Sequence, residues 1–196
     1  MQLKWWHGPL MGYGALHGHH LIYARAETVA EKPAFRKAFA HRRCLVLADG
    51  FYEWKGEGRS KQPYYIHLTD NRPFAFAGLW EHWDKVADRE INSWTIITTV
   101  PNAIVEPIHQ RMPVILHPRD YSLWLDPSMC DFQHVLALRQ PHPPEEMEAF
   151  PVSPMVNNPL NGNTRCLQRY WCEQTLVDGI LRGMHPILDA GGVAMS

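Results

Sequence analysis

The sequence predicts an α+β fold: one compact domain with a mostly antiparallel, β-rich core and short flanking helices. Three observations carry this. Of 196 residues, 45% are hydrophobic and 20% charged, proportions that suit a single globular domain with a sizeable core. Aromatic and β-branched runs of strand length recur between Leu45 and Val100, punctuated by turn residues, as neighbouring strands require. Helical spacing is confined to brief stretches, without the regular strand–helix alternation of a parallel sheet.

The elements follow in order. Thr28-Val-Ala-Glu31 has capping-box spacing, Pro33 suits a first helical turn, and Phe35 and Phe39 fall on one face, which predicts a short helix ending near Arg43. Leu45 to Leu47 and Phe51 to Trp54 read as strand on either side of Asp49-Gly50. Gly56-Glu57-Gly58 supplies a turn into a strand over Tyr64 to Thr69, and Asp70-Asn71-Arg72-Pro73 a turn into Phe74 to Trp80. Trp94 to Val100 adds another strand, and the pairing expected is of chain neighbours, antiparallel. Pro118 with the Tyr121, Trp124, Leu125 spacing predicts a helix, as does Phe132 to Leu138, before Phe150 to Ser153 returns to extended chain. The domain is expected to span residues 1–168. From Arg169 a tail punctuated by Gly179, Gly183, Gly191 and Gly192 is expected to be poorly ordered.

Composition narrows the function. The formal net charge of -1 hides a gradient: cations outnumber carboxylates from Arg25 to Lys61, whereas Arg139 stands alone against Asp126, Asp131, Glu145, Glu146 and Glu148. A polyanion should therefore meet the first region. Cys44, Cys130, Cys166 and Cys172 form no CxxC pair, and no apolar run directs secretion or approaches the roughly 20 residues needed to cross a bilayer. The expectation is a reduced, cytoplasmic monomer that inserts in no membrane. His17-Gly18-His19-His20 has no Cys or carboxylate at ligand-like spacing, so no metal is assigned, and no cofactor.

Four blocks carry a resemblance. They are Ala24-Arg25-Ala26-Glu27-Thr28, Ala48-Asp49-Gly50-Phe51-Tyr52-Glu53-Trp54, His109-Gln110-Arg111-Met112-Pro113, and Val152-Ser153-Pro154 with Val156-Asn157-Asn158-Pro159. In order and spacing, from Leu3 to about Gln168, the chain resembles the SRAP family, the SOS response-associated peptidases. The resemblance implies a β-rich fold with a positively charged channel for single-stranded DNA. It also implies capture of abasic sites by an N-terminal cysteine, whose thiol and α-amine condense with the ring-opened sugar aldehyde to a thiazolidine, and an associated self-processing peptidase activity.

Such chemistry needs an amine, a group that moves protons during imine formation, and cations for phosphates. Glu53 suits the second task, since aromatic packing by Tyr52 and Trp54 would raise its pKa; the bland alternative is a solvent-facing Glu on an alternating strand. His109 is the residue the family pattern implies for stabilising the sugar oxygen, against the alternative of a partly buried imidazole bonded to backbone. Arg25 and Arg111 are expected to clamp phosphates, or else to form internal ion pairs, for instance with Glu27 or Asp49. Trp5 offers a stacking surface or a core aromatic. Tyr23 stands where the family usually has Asn, which exchanges an amide for a phenol at the DNA-binding surface.

The start also departs from the pattern. The family normally opens Met-Cys-Gly-Arg, whereas here Met1 is followed by Gln2 and Leu3. Cys44, Cys130, Cys166 and Cys172 have their nitrogens in peptide bonds and cannot form a thiazolidine. The expectation is abasic-site recognition with impaired crosslinking, the alternative a catalytically inactive protein that binds single-stranded DNA.

Overall fold

The computed structural model describes residues 4–5, 23–56, 61–86, 89–129, 132–158, 160–161 and 164–170. Among them, two sheets and three short helices form an α+β unit. The larger sheet contains β1 (Lys4–Trp5), β2 (Tyr23–Arg25), β3 (Arg43–Ala48), β6 (Phe74–Val86), β7 (Arg89–Thr99), β8 (Met112–Pro113) and β9 (Ile115–Leu116). The smaller consists of β4 (Phe51–Lys55), β5 (Gln62–Leu68) and β10 (Met147–Pro151), all antiparallel. The helices are α1 (Arg36–His41), α2 (Tyr121–Leu125) and α3 (Phe132–Ala137).

Side-chain alternation along the strands makes three layers. On β2, β6, β7 and β9, Ala24, Ala77, Leu79, Ile97 and Leu116 face a core shared with Phe35 and Phe39 beside α1, Trp124 of α2 and Val135 of α3. The next residues along, Phe76, Ile96 and Ile115, face a second core with Ile66 and Leu68 of β5 and Met147 of β10. Each fully buried large side chain contributes on the order of 1.5–3 kcal/mol. The helical layer is pinned to β3 by polar contacts. Trp124 Nε1 donates to the Cys44 carbonyl at 2.9 Å, and the buried Arg43 guanidinium donates to the carbonyls of Trp124, Phe39, Ala40 and Asp126.

The larger sheet is forked. β6 and β7 pair as far as Gly78↔Ile96 and then part. Residues 112–116 enter the gap: β8 pairs with Thr98 and Thr99 of β7, and β9 with Ala75 and Phe76 of β6. Val114, fully buried between them, donates to the Ile97 carbonyl and accepts from the Ala77 amide, both at 2.9 Å. This insertion satisfies backbone groups that the fork would otherwise orphan.

Several expectations need correction. The capping box does not form: turns occupy residues 26–35, the Thr28 hydroxyl is buried without a partner among the described residues, and α1 begins only at Arg36. Phe35 and Phe39 are nonetheless buried on one face as their spacing requires. Chain-neighbour pairing holds for β4–β5 and β6–β7, but β3 pairs with β6 and β4 with β5, so the strands flanking Asp49-Gly50 belong to different sheets. β1 and β2 run parallel to β7. Beyond residue 168, Arg169 bridges to Val152 and the Tyr170 amide donates to the Pro151 carbonyl, while residues 171–196 lie outside the described residues.

Gly50 marks the crossing between the sheets. A Cβ there would lie 2.3 Å from the Tyr65 ring, and that ring cannot swing away because Tyr52, His67 and Phe150 surround it at centroid distances of 5.3, 5.4 and 5.8 Å. Its hydroxyl also donates to the Asp49 carbonyl at 3.2 Å. Gly50→Ala is expected to cost about 1–3 kcal/mol in urea unfolding, the usual penalty for overpacking. An unchanged midpoint would contradict the close approach.

Candidate active site between the two sheets

Where β4 approaches the free face of the larger sheet, a cavity of about 860 Å³ opens. Glu53, His109, Tyr23, Arg25 and Arg111 all line it, together with apolar side chains that include Phe51, Phe76, Trp94 and Ile96. Residues far apart in sequence thus converge as the motif reading required. Trp5 is placed only as a strand residue opposite Trp94, and its side chain, like the His17-Gly18-His19-His20 run, Cys130 and Cys172, lies outside the described residues.

Each lining residue has a local reason for its position. On β2, Ala24 is buried in the helical core, so strand alternation turns Tyr23 and Arg25 to the cavity. On β4, Phe51 packs edge-on against Phe76 of the larger sheet at 5.8 Å, and Glu53, two residues on, shares that inward face. Tyr52 and Trp54 face the other way: Tyr52 meets Tyr65, and Trp54 Nε1 donates to Asn157 Oδ1 at 2.7 Å. Glu53 is therefore turned toward the opposite sheet, in a cavity that Tyr52 and Trp54 also line. Burial raises its pKa above the ordinary carboxylate value, and the nearby His109 opposes the rise.

His109 ends a run of turns anchored at both ends. Asn102 Oδ1 accepts from the Ile104 and Val105 amides, Val105 and Met112 are fully buried, and the His109 amide donates to the Val105 carbonyl at 2.9 Å. The imidazole Nδ1 lies 3.5 Å from Glu53 Oε2 and 3.0 Å from the Arg111 carbonyl. Protonated at Nδ1, the ring donates to that carbonyl and presents its Nε2 lone pair. Unprotonated there, it accepts from the Arg111 amide at 3.3 Å. A largely buried carboxyl whose pKa is raised, within 3.5 Å of an imidazole, is an arrangement that can move protons at a bound electrophile.

The arginines divide. Arg111 forks onto Glu27 with Nη1–Oε1 and Nη2–Oε2 distances of 2.7 and 3.0 Å, and Nη2 also reaches the Thr98 carbonyl at 2.5 Å. This is the internal ion pair that sequence offers as the alternative to a phosphate clamp. It fixes the backbone that orients His109. The Arg25 carbonyl accepts from the Thr28 amide at 3.1 Å, and its guanidinium, which lines the cavity and adds to the lowering of the Glu27 pKa, makes no side-chain hydrogen bond or ion pair among the described residues. Sequence reasoning missed Thr98 and Trp94 as lining residues, since their exposure depends on how the fork opens. The described residues hold no cluster of three potential metal-ligating side chains and no helix long and apolar enough to cross a membrane.

Comparison with known proteins defines the class. Residues 1–159 match the family described as SOS response associated peptidase (SRAP). The chain belongs to that family. It is 41% identical over 170 residues to the abasic site processing protein YoqW of Bacillus subtilis, covering 86% of this chain and 76% of the relative. With the abasic site processing protein HMCES of Xenopus tropicalis it shares 35% over 163 residues, spanning 48% of that protein. A crystal structure of a protein from Bacteroides thetaiotaomicron is similar at a TM-score of 0.72 and 33% identity, covering 80% of this chain and 69% of that one.

The two site carboxylates should leave opposite signatures in stability. Arg111 holds Glu27 below the ordinary value, so its contribution is present above that value and disappears as pH falls through the lowered pKa. Glu53 is raised, so the folded state loses stability as pH rises from the ordinary value through the raised one. Urea unfolding across pH should show Glu27→Gln less stable than wild type near neutrality, by about 1 kcal/mol or less for so exposed a pair. Glu53→Gln should be more stable there, and both differences should shrink in acid. Shifts of the same sign in the two variants would contradict these assignments.

Proposed function

We propose that the cavity takes the deoxyribose of an abasic site in single-stranded DNA, with Glu53 and His109 moving protons as the sugar ring opens and its aldehyde condenses with an amine. The observation that carries the reading is the 3.5 Å approach of Glu53 to His109 inside a cavity lined by Arg25 and Tyr23. A neutral Glu53 can protonate the ring oxygen as the C1′–O4′ bond breaks, while the other oxygen of the same carboxyl takes the proton of the anomeric hydroxyl as the C1′ carbonyl forms, which leaves Glu53 neutral again. Later the same carboxyl can protonate the carbinolamine hydroxyl, which leaves as water when the imine forms. His109 accepts the proton lost by the attacking amine. Arg25 supplies the phosphate contact, and Arg111 acts through Glu27 and the loop backbone as a positioning residue. The names of the relatives support the substrate class.

The described cysteines do not supply a nucleophile. Burial pushes the Cys44 thiol up to about 11, and Cys166 is buried with Sγ directed to the Asn161 carbonyl at 3.1 Å. An adduct formed through an amine of this chain is an imine, which borohydride reduces to a stable amine.

A denaturing gel of protein with an abasic single-stranded oligonucleotide, run with and without borohydride, tests the reading. A reductant-dependent adduct is expected, weakened at least tenfold in rate by Glu53→Gln or His109→Ala, in line with general acid–base contributions of about 100-fold or more. Adduct formation unaffected by either substitution would contradict the assignment. Single-strand binding without any adduct would leave a binding protein.

A further inference from the structure

One tryptophan lines the cavity and a second stands beside it in register. Trp94 of β7 lines the cavity and is the register partner of Trp80 on β6. Cross-strand partners project to the same face of a sheet. Trp80 shares that face with Phe76, which is also in the cavity wall, because residues two and four apart along a strand point the same way. Between them Gly78 has no side chain to interrupt the surface, and a Cβ there would lie 2.8 Å from Cys44 Sγ and from Val46. Trp80 is 41% exposed, although its neighbours Leu79 and Ala77 on the opposite face are fully buried. Beyond these residues β6 and β7 remain paired as far as Val86↔Arg89.

We propose that Trp80, with Trp94, forms a stacking platform for an unpaired base flanking the lesion, adjoining the sugar site. This rests on the abasic-site reading and adds a subsite to it. A strand whose sugar enters the cavity can run on across Trp94 and Trp80, and an indole face offers sequence-tolerant stacking to any unpaired base. A duplex would keep its bases stacked on one another and gain nothing there. The platform thus favours a lesion in single-stranded DNA by its geometry, while Arg25 answers to charge.

The probe is a single-stranded oligonucleotide with a central tetrahydrofuran, an abasic analogue with no aldehyde, compared with one whose flanking positions on one side are also tetrahydrofuran. The two carry equal charge and differ only in bases. By anisotropy, wild-type protein is expected to bind the fully based probe about tenfold more tightly for at least one choice of side, the order of one stacked base. Trp80→Ala should erase that preference and leave affinity for the base-poor probe unchanged. Trp80→Phe should retain most of it, and matched thermal midpoints show that the variants are folded. Equal binding of both probes by wild type overturns the platform, as does an equal loss on both probes in Trp80→Ala, which makes Trp80 structural. Failure to bind either probe also overturns it. Borohydride trapping of a true abasic site is independent of these outcomes and tells whether the parent reading fails with it.

Discussion

The arrangement depends on how residues 112–116 fill the fork between β6 and β7. Two backbone hydrogen bonds at the fully buried Val114, to Ile97 and from Ala77, join strands that no longer pair with each other. The insertion has a consequence on each side. Ile115 and Leu116 project to opposite faces and complete both cores. Upstream, Met112 is buried and Arg111 is tied to Glu27 and Thr98, so the chain that leads into the fork must present His109 to the cavity.

Electrostatics at the site follows from layer geometry. Glu27 lies beside Arg111 and Glu53 beside His109, and the two carboxyls shift in opposite directions because their surroundings differ. Glu27, half exposed, is held charged by the guanidinium fork of Arg111. Glu53, on the inward face of β4, meets apolar side chains of the opposite sheet and keeps its proton more readily. The Arg111 guanidinium is thus engaged by Glu27 and leaves the Glu53 carboxyl facing His109. Tyr23 extends the same environment, since burial, with the Glu53 charge as a lesser cause, holds its phenol protonated as a donor.

Much of this was legible in the sequence. Aromatic runs marked β4 to β7, and the motif blocks named Glu53, His109, Tyr23, Arg25 and Arg111 before any geometry brought them together. Pairing was not legible, because Asp49-Gly50 looks like a hairpin turn and only the packing of Gly50 against Tyr65 shows that the chain changes sheets there. β8 and β9 are two residues each, too short for alternation to register. Burial raises the Glu53 pKa, but the part of that burial contributed by strands distant along the chain was not legible beside Tyr52 and Trp54, which line the same cavity. Arg111 illustrates the same limit, since a guanidinium near Glu27 in a motif looks equally like a phosphate clamp until the fork onto the carboxylate is seen. The pairing of Trp94 with Trp80 emerges only from register, which composition cannot supply.

The central claim is that layer packing makes Glu53 an acid that retains its proton beside an imidazole that lowers it. The most direct measurement is a carboxyl-resolved NMR titration of Glu53 in the wild-type chain and in His109→Ala. The account predicts a midpoint above the ordinary carboxylate value of 4.5, moving higher still when the cationic form of His109 is removed. A Glu53 that titrates at or below the ordinary value, or whose midpoint is indifferent to His109, would contradict it.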